Sequence, residues 1–448
     1  MRLADIIGLF AIFLLIAFVG YRSSKKVKNM EDFTLAGGSL GKIQAGFSMA
    51  AAEFGGSSLI GAMALCYTIG VAGAWWDWCA IPALVLLGIF FAGKIKLPHL
   101  ITITDFFEKR YHYPTKLVAS LMHILAIATQ ISTQFMVGAT ALNGIMGVPK
   151  PIGVAISVIF VMLYTAAGGL IAVVNTDVVQ FLIIVGSILL AAPLSVAYCG
   201  GVTAWMEALP AEFLRFSNIE PWTVVSWCLF SFFTYATSQH YIQRVFAAKD
   251  KSTARFAFVF TGGCYFFYGL LISVIGVSIV ILLPNLTDPN MGYALLIKDY
   301  MPAGLAGVIL GGIFAASMST ASSMLLAAST LFVNDIYEPL LEKRMGIGEE
   351  KRLLVIRAVT LLVCVSSVTV SLFMDNIVNV MYLGGLFYST AVFFPLVIGL
   401  KWKRATASGA LCSILVSVLV GCLAEFSPLS FFGWPSNVVS AGTGFWFL

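Results

Sequence analysis

The chain has 448 residues, of which 60% are hydrophobic and only 10% are charged, and its mean hydropathy is +0.96. About a quarter of the residues of an ordinary soluble protein are charged, so this composition excludes a soluble enzyme, a nucleic-acid binder and a disordered chain. The formal net charge of +5 arises mostly from basic residues in short loops. Eight scattered cysteines and four histidines have no ligand-like spacing, which predicts neither a disulfide framework nor a metal centre.

Twelve apolar runs follow one another, and each is long enough to cross the roughly 30 Å hydrocarbon core of a bilayer. They predict an all-α polytopic membrane protein of 12–13 transmembrane helices in a single domain, residues 1–448. The last stretch, about 429–448, is a weaker thirteenth candidate because Pro435, Ser436 and Asn437 interrupt it. The twelve runs are 4–20, 43–68, 73–93, 117–146, 152–169, 178–199, 222–243, 256–283, 305–332, 353–373, 377–399 and 405–423.

The basic residues predict the orientation of these spans. The positive charges of the first run, 4–20, follow it, which is typical of a first span and not of a cleavable signal. With the N-terminus outside and the spans alternating, 22 of the 26 lysines and arginines fall on the inner side. Loops that stay in the cytoplasm carry such an excess of positive charge. We therefore expect an outside N-terminus.

Span 2 carries polar residues in the middle of its apolar run. Glu53 is followed by Gly55-Gly56 and by Ser57-Ser58. Glycine weakens a helix by about 1 kcal/mol relative to alanine, and irregular backbone survives inside a bilayer only around a cavity. One interpretation is a helix broken near residues 51–57, with free carbonyls aimed at a ligand. The alternative is an unbroken helix whose glycines pack against a neighbouring helix.

Span 9 carries four hydroxyl side chains within residues 319–323. Hydroxyl oxygens and freed carbonyl oxygens are hard ligands that suit an alkali cation. The alternative is that these side chains bond to carbonyls of their own helix or hold two helices together. Elsewhere, Asp177 at the start of span 6 favours a helix cap. Asp77, among three tryptophans, favours a wet carboxylate in an interfacial aromatic belt.

Four stretches carry the most distinctive patterns of the chain, and they follow one another over nearly its whole length. They are Ala51–Gly56, Leu163–Gln180, Gln239–Lys249, and Ala315–Met324 running on to Asn334–Tyr337. Together they resemble the sodium:solute symporter family, whose members carry sugars, proline, pantothenate, choline, iodide or sialic acid. The resemblance implies the inverted-repeat fold of the leucine transporter. Spans 2–6 (40–200) and 7–11 (222–400) would form two five-helix halves, with 4–20 and 405–448 peripheral.

The same resemblance implies sodium sites between spans 2 and 9. The first site would consist of the carbonyls of Ala51, Phe54 and Ala316 and the hydroxyls of Ser319 and Thr320. A second site, present in some members, would consist of Ser319, Ser322, Ser323 and Asp177. We therefore expect sodium as the coupling ion, with two ions per transport cycle.

Glu53 occupies a position that is an aspartate in proline-type members and a tryptophan in choline-type members. A tryptophan there would provide the cation–π partner of a quaternary ammonium group, and its replacement makes choline an unfavourable solute. A carboxylate would instead pair with a substrate ammonium or tune the sodium site. Ser57, Gln239 and His240 are the other expected substrate-side residues, with His240 as a candidate gate.

The sequence as a whole predicts a secondary active transporter in the plasma membrane, which is the inner membrane in a bacterium. It would carry a small polar solute, amino acid-like or otherwise zwitterionic, together with sodium by alternating access. It would be no enzyme and would need no organic cofactor. The alternatives are proton coupling through Glu53, or a carboxylate, pantothenate or a sugar as the solute. An ion channel is a distant alternative, because a channel needs a continuous polar pore and the polar residues here cluster at one depth.

Overall fold

The computed structural model describes residues 2–95, 100–342, 351–374, 377–400, 402, 404–426 and 436–448. Its regular elements are helices. Those of the first half are α1 Leu3–Ser24, α2 Met30–Leu35, α3 Lys42–Glu53, α4 Gly56–Ile69, α5 Trp75–Trp78, α6 Ala80–Phe90, α7 Ala92–Ile95, α8 Asp105–Tyr111, α9 Tyr113–Met146, α10 Lys150–Tyr198 and α11 Val202–Glu207. Those of the second half are α12 Pro221–Thr237, α13 Gln239–Ala247, α14 Lys251–Leu282, α15 Gly292–Tyr300, α16 Leu305–Phe332, α17 Arg352–Phe373, α18 Ile377–Phe387, α19 Ser389–Gly399, α20 Ala407–Phe426 and α21 Ser436–Phe447.

The twelve predicted apolar runs all fall on helices, which confirms an all-α polytopic membrane protein. Among the described residues, eight helices are long and apolar enough to cross a membrane. Other predicted spans are divided into two shorter helices, as α3 and α4 divide span 2. The outside N-terminus and the division into two repeats stay predictions.

Several predicted features fall on residues that the structure does not describe. The weak thirteenth span is described from residue 436 onward, where it forms α21. Residues 427–435, which include Pro435, lie outside the described part of the chain. Five of the basic residues used for the orientation also lie outside it. They are Lys96, Lys343, Arg344, Lys401 and Lys403.

Span 2 is broken where its glycines predict a break. α3 ends at Glu53, and Phe54 takes the non-helical angles φ −72° and ψ 48° before α4 begins. The glycines are also packing residues, because a Cβ on Gly55 would lie 2.7 Å from Thr320 Oγ1 and one on Gly56 would lie 2.2 Å from Ser317 Oγ. The broken helix is therefore confirmed, and the unbroken helix of the alternative interpretation is wrong, although its close glycine packing against a neighbouring helix is present.

Span 7 is interrupted in a similar way. α12 and α13 are separated by Ser238, whose extended angles are φ −75° and ψ 127°. Spans 2 and 7 are the first spans of the two expected halves, so interruptions at equivalent places are consistent with the predicted repeat. The long helix α10, which contains spans 5 and 6, bends at Gly169. Its φ of +51° and its approach to Phe33, whose carbonyl oxygen would lie 2.5 Å from a Cβ, both require glycine.

α16 is the central helix of the bundle. It packs against α1, α9 and α10 and against both halves of the broken span 2. Its residues from Ala306 to Leu331 are almost all buried, including every serine and threonine among them. A further helical stretch, Val333–Glu342, continues it. The hydroxyl-rich segment therefore lies inside the protein beside the helix break, and not at the lipid surface.

Candidate functional site

The hydroxyls of α16 meet the carbonyls at the end of α3. The last carbonyls of any helix lack a donor within that helix. Here Ser319 Oγ lies 2.8 Å from the carbonyl oxygen of Ala51, and Thr320 Oγ1 lies 2.9 Å from that of Ala52. The same two hydroxyls lie 3.0 and 3.1 Å from the carbonyl oxygen of Ala316. All five residues are buried, so neutral oxygen atoms from two helices are gathered in one dry place.

Phe54, whose carbonyl is the remaining predicted ligand, is the residue at which the helix is interrupted. Its own amide still donates to the carbonyl of Ala50 at 2.9 Å, and the next amide, of Gly55, turns back to the carbonyl of Glu53 at 2.6 Å. The Phe54 ring stacks on Tyr268 of α14 with 4.1 Å between ring centroids. The aromatic contact fixes the turn against a second helix.

Asp177 takes part in a separate buried network around Arg244. Arg244 Nη2 lies 2.8 Å from Asp177 Oδ2 and donates to Ser323 Oγ at 2.6 Å. Ser48 donates to the same carboxylate oxygen at 2.5 Å. Ser322 donates to the main-chain oxygen of Ser319 at 3.0 Å. Asp177 Oδ1 has no hydrogen-bond partner among the described residues.

A cavity of about 100 Å³ lies beside the helix break. Glu53 and Ser57, two of the four predicted substrate residues, line it. Glu53 Oε2 accepts hydrogen bonds from Tyr235 at 2.6 Å and from Tyr265 at 3.0 Å, while its Oε1 has no partner among the described residues. Ser57 Oγ accepts a hydrogen bond from Gln134 Nε2 at 2.9 Å. Glu53 therefore offers a free, buried carboxylate oxygen to a ligand in this cavity.

Gln239 and His240, the other two predicted substrate residues, do not line this cavity. The Gln239 side chain bridges the segment before α8, because it accepts from the amide of Ile103 at 2.8 Å and donates to the carbonyl of Ile101 at 3.0 Å. The His240 ring packs on Tyr241, and its carbonyl accepts from Arg244 Nη1 at 2.7 Å. A substrate role for either residue stays a prediction.

Two sequence interpretations of acidic residues are wrong. Asp177 is not a helix cap, because α10 runs continuously from Gly169 past it, and the side chain pairs with Arg244. Asp77 is not a wet interfacial carboxylate, because it is 2% exposed and lines the cavity. Both carboxylates are functional candidates by virtue of their burial within the bundle.

The sequence reasoning missed several residues that shape these sites. No site role is predicted for Arg244, which lies in the stretch Gln239–Lys249, yet it is 1% exposed and joins Asp177 to α16. Tyr235 and Tyr265, which donate hydrogen bonds to Glu53, lie in distant spans, and no local sequence pattern indicates this contact. A signal for Arg244 is present in the sequence, because this residue directly follows span 7, which ends at residue 243.

A second buried ion cluster joins the end of α16 to α9. The carboxylate of Asp335 accepts from Thr102 at 2.9 Å and from Ser120 at 2.5 Å, and Lys116 Nζ lies 3.4 Å from it. Lys116 also contacts Asp105 at 2.8 Å. Burial raises the pKa of Asp105, but the Lys116 ammonium and backbone amides outweigh burial, so the pKa lies below its ordinary value. This cluster holds the segment before α8 against the bundle.

Comparisons with known proteins agree with this architecture. The chain matches the sodium:solute symporter family over residues 33–417. It is 26% identical to the sodium/glucose cotransporter of Vibrio parahaemolyticus (90% of this chain, 81% of the relative) and 27% identical to the sodium/pantothenate symporter of Escherichia coli strain K12 (89% and 85%). The solved outward-open, substrate-bound state of a Na⁺-coupled sialic acid symporter has a TM-score of 0.86 at 23% identity, covering 100% of this chain and 97% of that one.

The all-helical bundle, with two interrupted helices and a buried polar cavity, has the fold of the leucine-transporter type. The chain belongs to the sodium:solute symporter family. It is a sodium-coupled symporter of a small solute and spans the plasma membrane several times. The family resemblance seen in the sequence is confirmed.

Removal of the Arg244 guanidinium tests the buried pair with Asp177. Arg244→Gln leaves an uncompensated carboxylate inside the bundle, which costs about 3–5 kcal/mol. We expect a large drop in the thermal unfolding midpoint of the purified protein, and we expect the double variant Arg244→Gln/Asp177→Asn to recover part of it. Additive effects of the two substitutions would contradict a direct pair.

Proposed function

We propose that the chain carries a small amine-bearing or zwitterionic solute into the cell by alternating access, driven by sodium held between the break of span 2 and α16. The observation that carries the sodium site is the contact of Ser319 Oγ with the carbonyl oxygens of Ala51 and Ala316, at 2.8 and 3.0 Å. Thr320 and Phe54 complete the proposed ligand set. Every ligand is a neutral oxygen, which suits a hard monovalent cation.

Sodium at this place would join two parts of the bundle. α3 and α4 belong to the first expected half, and α16 to the second. An ion can shift a conformational equilibrium only if it binds the two states with different affinity. Ligands divided between two helices meet this condition, because any movement of one helix away from the other removes part of the site. Each charge that moves inward also gains about 2.3 kcal/mol per 100 mV of membrane potential.

Ser319→Ala tests the sodium site directly. Sodium that binds the folded protein raises its thermal unfolding midpoint, so wild-type protein is expected to unfold at a higher temperature in NaCl than in KCl. Loss of one hydroxyl ligand should weaken sodium binding about tenfold or more, which shifts the stabilisation to higher NaCl concentration.

Ser317→Ala is the matched control, because among the described residues the Ser317 hydroxyl bonds only to the Ile313 carbonyl of its own helix, at 3.1 Å. This variant should keep the sodium dependence of the wild type. Equal sodium dependence of Ser319→Ala and Ser317→Ala would refute the proposed site.

A second sodium ion is proposed beside Asp177, with Ser319, Ser322 and Ser323 as further ligands. The partnerless Oδ1 of Asp177 supports this proposal, because Arg244 and Ser48 occupy only the other carboxylate oxygen. Arg244 would then share the carboxylate with the ion.

Two ions per cycle predict a sodium dependence of uptake with a Hill coefficient of about two. Ser322→Ala should lower the coefficient towards one, since Ser322 is a ligand of the second site alone, whereas Ser317→Ala should not change it. A wild-type coefficient near one would count against the second ion.

The solute is proposed to bind in the cavity beside the break. Glu53 Oε1 is buried and free to accept from an ammonium group. Gly55, Ser57 and Ser58, at the start of α4, line the same cavity, and the free amides of a helix N-terminus favour a carboxylate. The relatives named above carry different solutes, such as glucose and pantothenate. The proposed solute class therefore rests on the polar groups of this cavity and not on the relatives.

Glu53→Gln tests the solute site. The substitution keeps the size of the side chain and removes the charge that would pair with an ammonium group. We expect uptake of amine-bearing solutes into proteoliposomes to fall to near background, while Glu212→Gln, a change at an exposed position, leaves it intact. Wild-type uptake by Glu53→Gln would assign Glu53 a structural role, and uptake driven by a proton gradient in sodium-free buffer would favour proton coupling.

A further inference from the structure

The cavity beside the helix break holds a second buried carboxylate. Asp77 is 2% exposed, and its Oδ1 accepts from the Ser58 hydroxyl at 2.6 Å. Its Oδ2 is buried and has no hydrogen-bond partner among the described residues, as is true of Glu53 Oε1. Both side chains line the same cavity. The cavity therefore presents two carboxylate oxygens that lack a donor.

Within the described part of the chain, no cationic side chain lines this cavity. None of the described residues that line it is a lysine, an arginine or a histidine. The buried cations elsewhere are already paired, Arg244 with Asp177 and Lys116 with Asp105. A buried charge without a partner is strongly unfavourable. Glu53 and Asp77 therefore stay ionised only when bound cations balance them, and without such cations the carboxyls take up protons.

Sodium balances only one of the two carboxylates. The proposed sodium site consists of neutral oxygens from residues 51–54 and from α16. These ligands do not neutralise the positive charge of the ion, and Glu53 lies between them in the sequence. The second proposed ion is held by Asp177 and the serines of α16, none of which lines this cavity, so Asp77 has no counter-charge next to it. A zwitterionic solute has no net charge and leaves this imbalance in place, whereas a solute with a net charge of +1 removes it.

Resting on the proposed function, we propose that the solute is a diamino acid or a close analogue with two cationic nitrogen groups and one carboxylate. One ammonium group meets Glu53, and the second meets Asp77. The carboxylate meets the first turn of α4. The walls suit the carbon chain and its charged end, because Trp76 and Trp227 line the cavity with their rings 5.2 Å apart and aromatic faces attract ammonium groups.

Matched pairs of amino acids test this assignment. The probes are 2,4-diaminobutyrate, ornithine and lysine, each compared with the neutral amino acid of the same carbon number, which are 2-aminobutyrate, norvaline and norleucine. Binding to the purified full-length protein is measured by titration calorimetry in NaCl and in KCl. In at least one pair, the diamino acid should bind about 30-fold tighter than its neutral partner, as expected for a buried charge pair.

Asp77→Asn should reduce that ratio to near one, while Asp299→Asn, a change at an exposed position, should preserve it. Ser58→Ala provides a second variant that keeps the carboxylate and removes the hydroxyl that orients it. The ratio for Ser58→Ala should fall between those of the wild type and Asp77→Asn. Thermal unfolding of each variant identifies any that fails to fold.

Two results would overturn the assignment of Asp77. One is that no diamino acid binds more tightly than its neutral partner at millimolar concentration, and the other is that the ratio survives Asp77→Asn. The comparison of binding in NaCl and in KCl distinguishes failure of this assignment from failure of the proposed function. Neutral amino acids that bind as tightly as their diamino partners, and only in NaCl, would leave sodium-coupled symport standing and refute the second ammonium. Diamino acids that bind equally in NaCl and KCl would support Asp77 and refute coupling to sodium.

Discussion

The contact between the end of α3 and the hydroxyls of α16 is the interaction on which the remaining structure depends. A helix that ends inside a bilayer leaves carbonyls that water cannot reach, and each of them needs a donor from the protein. Ser319 and Thr320 supply donors to Ala51 and Ala52, and the glycines after the break permit the close approach that these bonds need. The same oxygens that satisfy the helix end can turn to a cation, so the structural solution and the proposed sodium site are one arrangement.

Buried charge divides the interior into two kinds of region. Around Arg244 and around Lys116, each cation has a carboxylate within 2.8 Å, and these clusters hold helices together. In the cavity, Glu53 and Asp77 each keep an oxygen without a partner. Fully paired clusters rigidify a core, whereas incomplete pairing is unfavourable until a ligand completes it. Asp177 keeps Arg244 at its Oδ2 although its Oδ1 also lacks a partner among the described residues. Glu53 and Asp77 have no cationic side chain beside them in the described lining of the cavity, and this difference separates the paired clusters from the proposed solute site.

The sequence predicted the helical spans, the break near Gly55 and the hydroxyl face of α16, because these features are local. Few local structures place a glycine pair shortly after a carboxylate in the middle of a span. The same is true of four hydroxyl side chains within five residues. The partners of Glu53 and Asp177 were not predictable in this way. Tyr235 and Arg244 lie 182 and 67 positions away in the chain, and only the folded bundle brings them together. Asp77 was misread for the same reason, since neighbouring tryptophans describe its local surroundings and not the cavity that it lines.

The most direct measurement is a high-resolution electron cryomicroscopy map of the purified protein in NaCl, compared with one in KCl. The account predicts a compact, non-protein density in the NaCl map, enclosed by the carbonyls of Ala51, Phe54 and Ala316 and the hydroxyls of Ser319 and Thr320, and absent in KCl. Identical maps at this place, or a sodium-dependent density that contacts neither α3 nor α16, would contradict it.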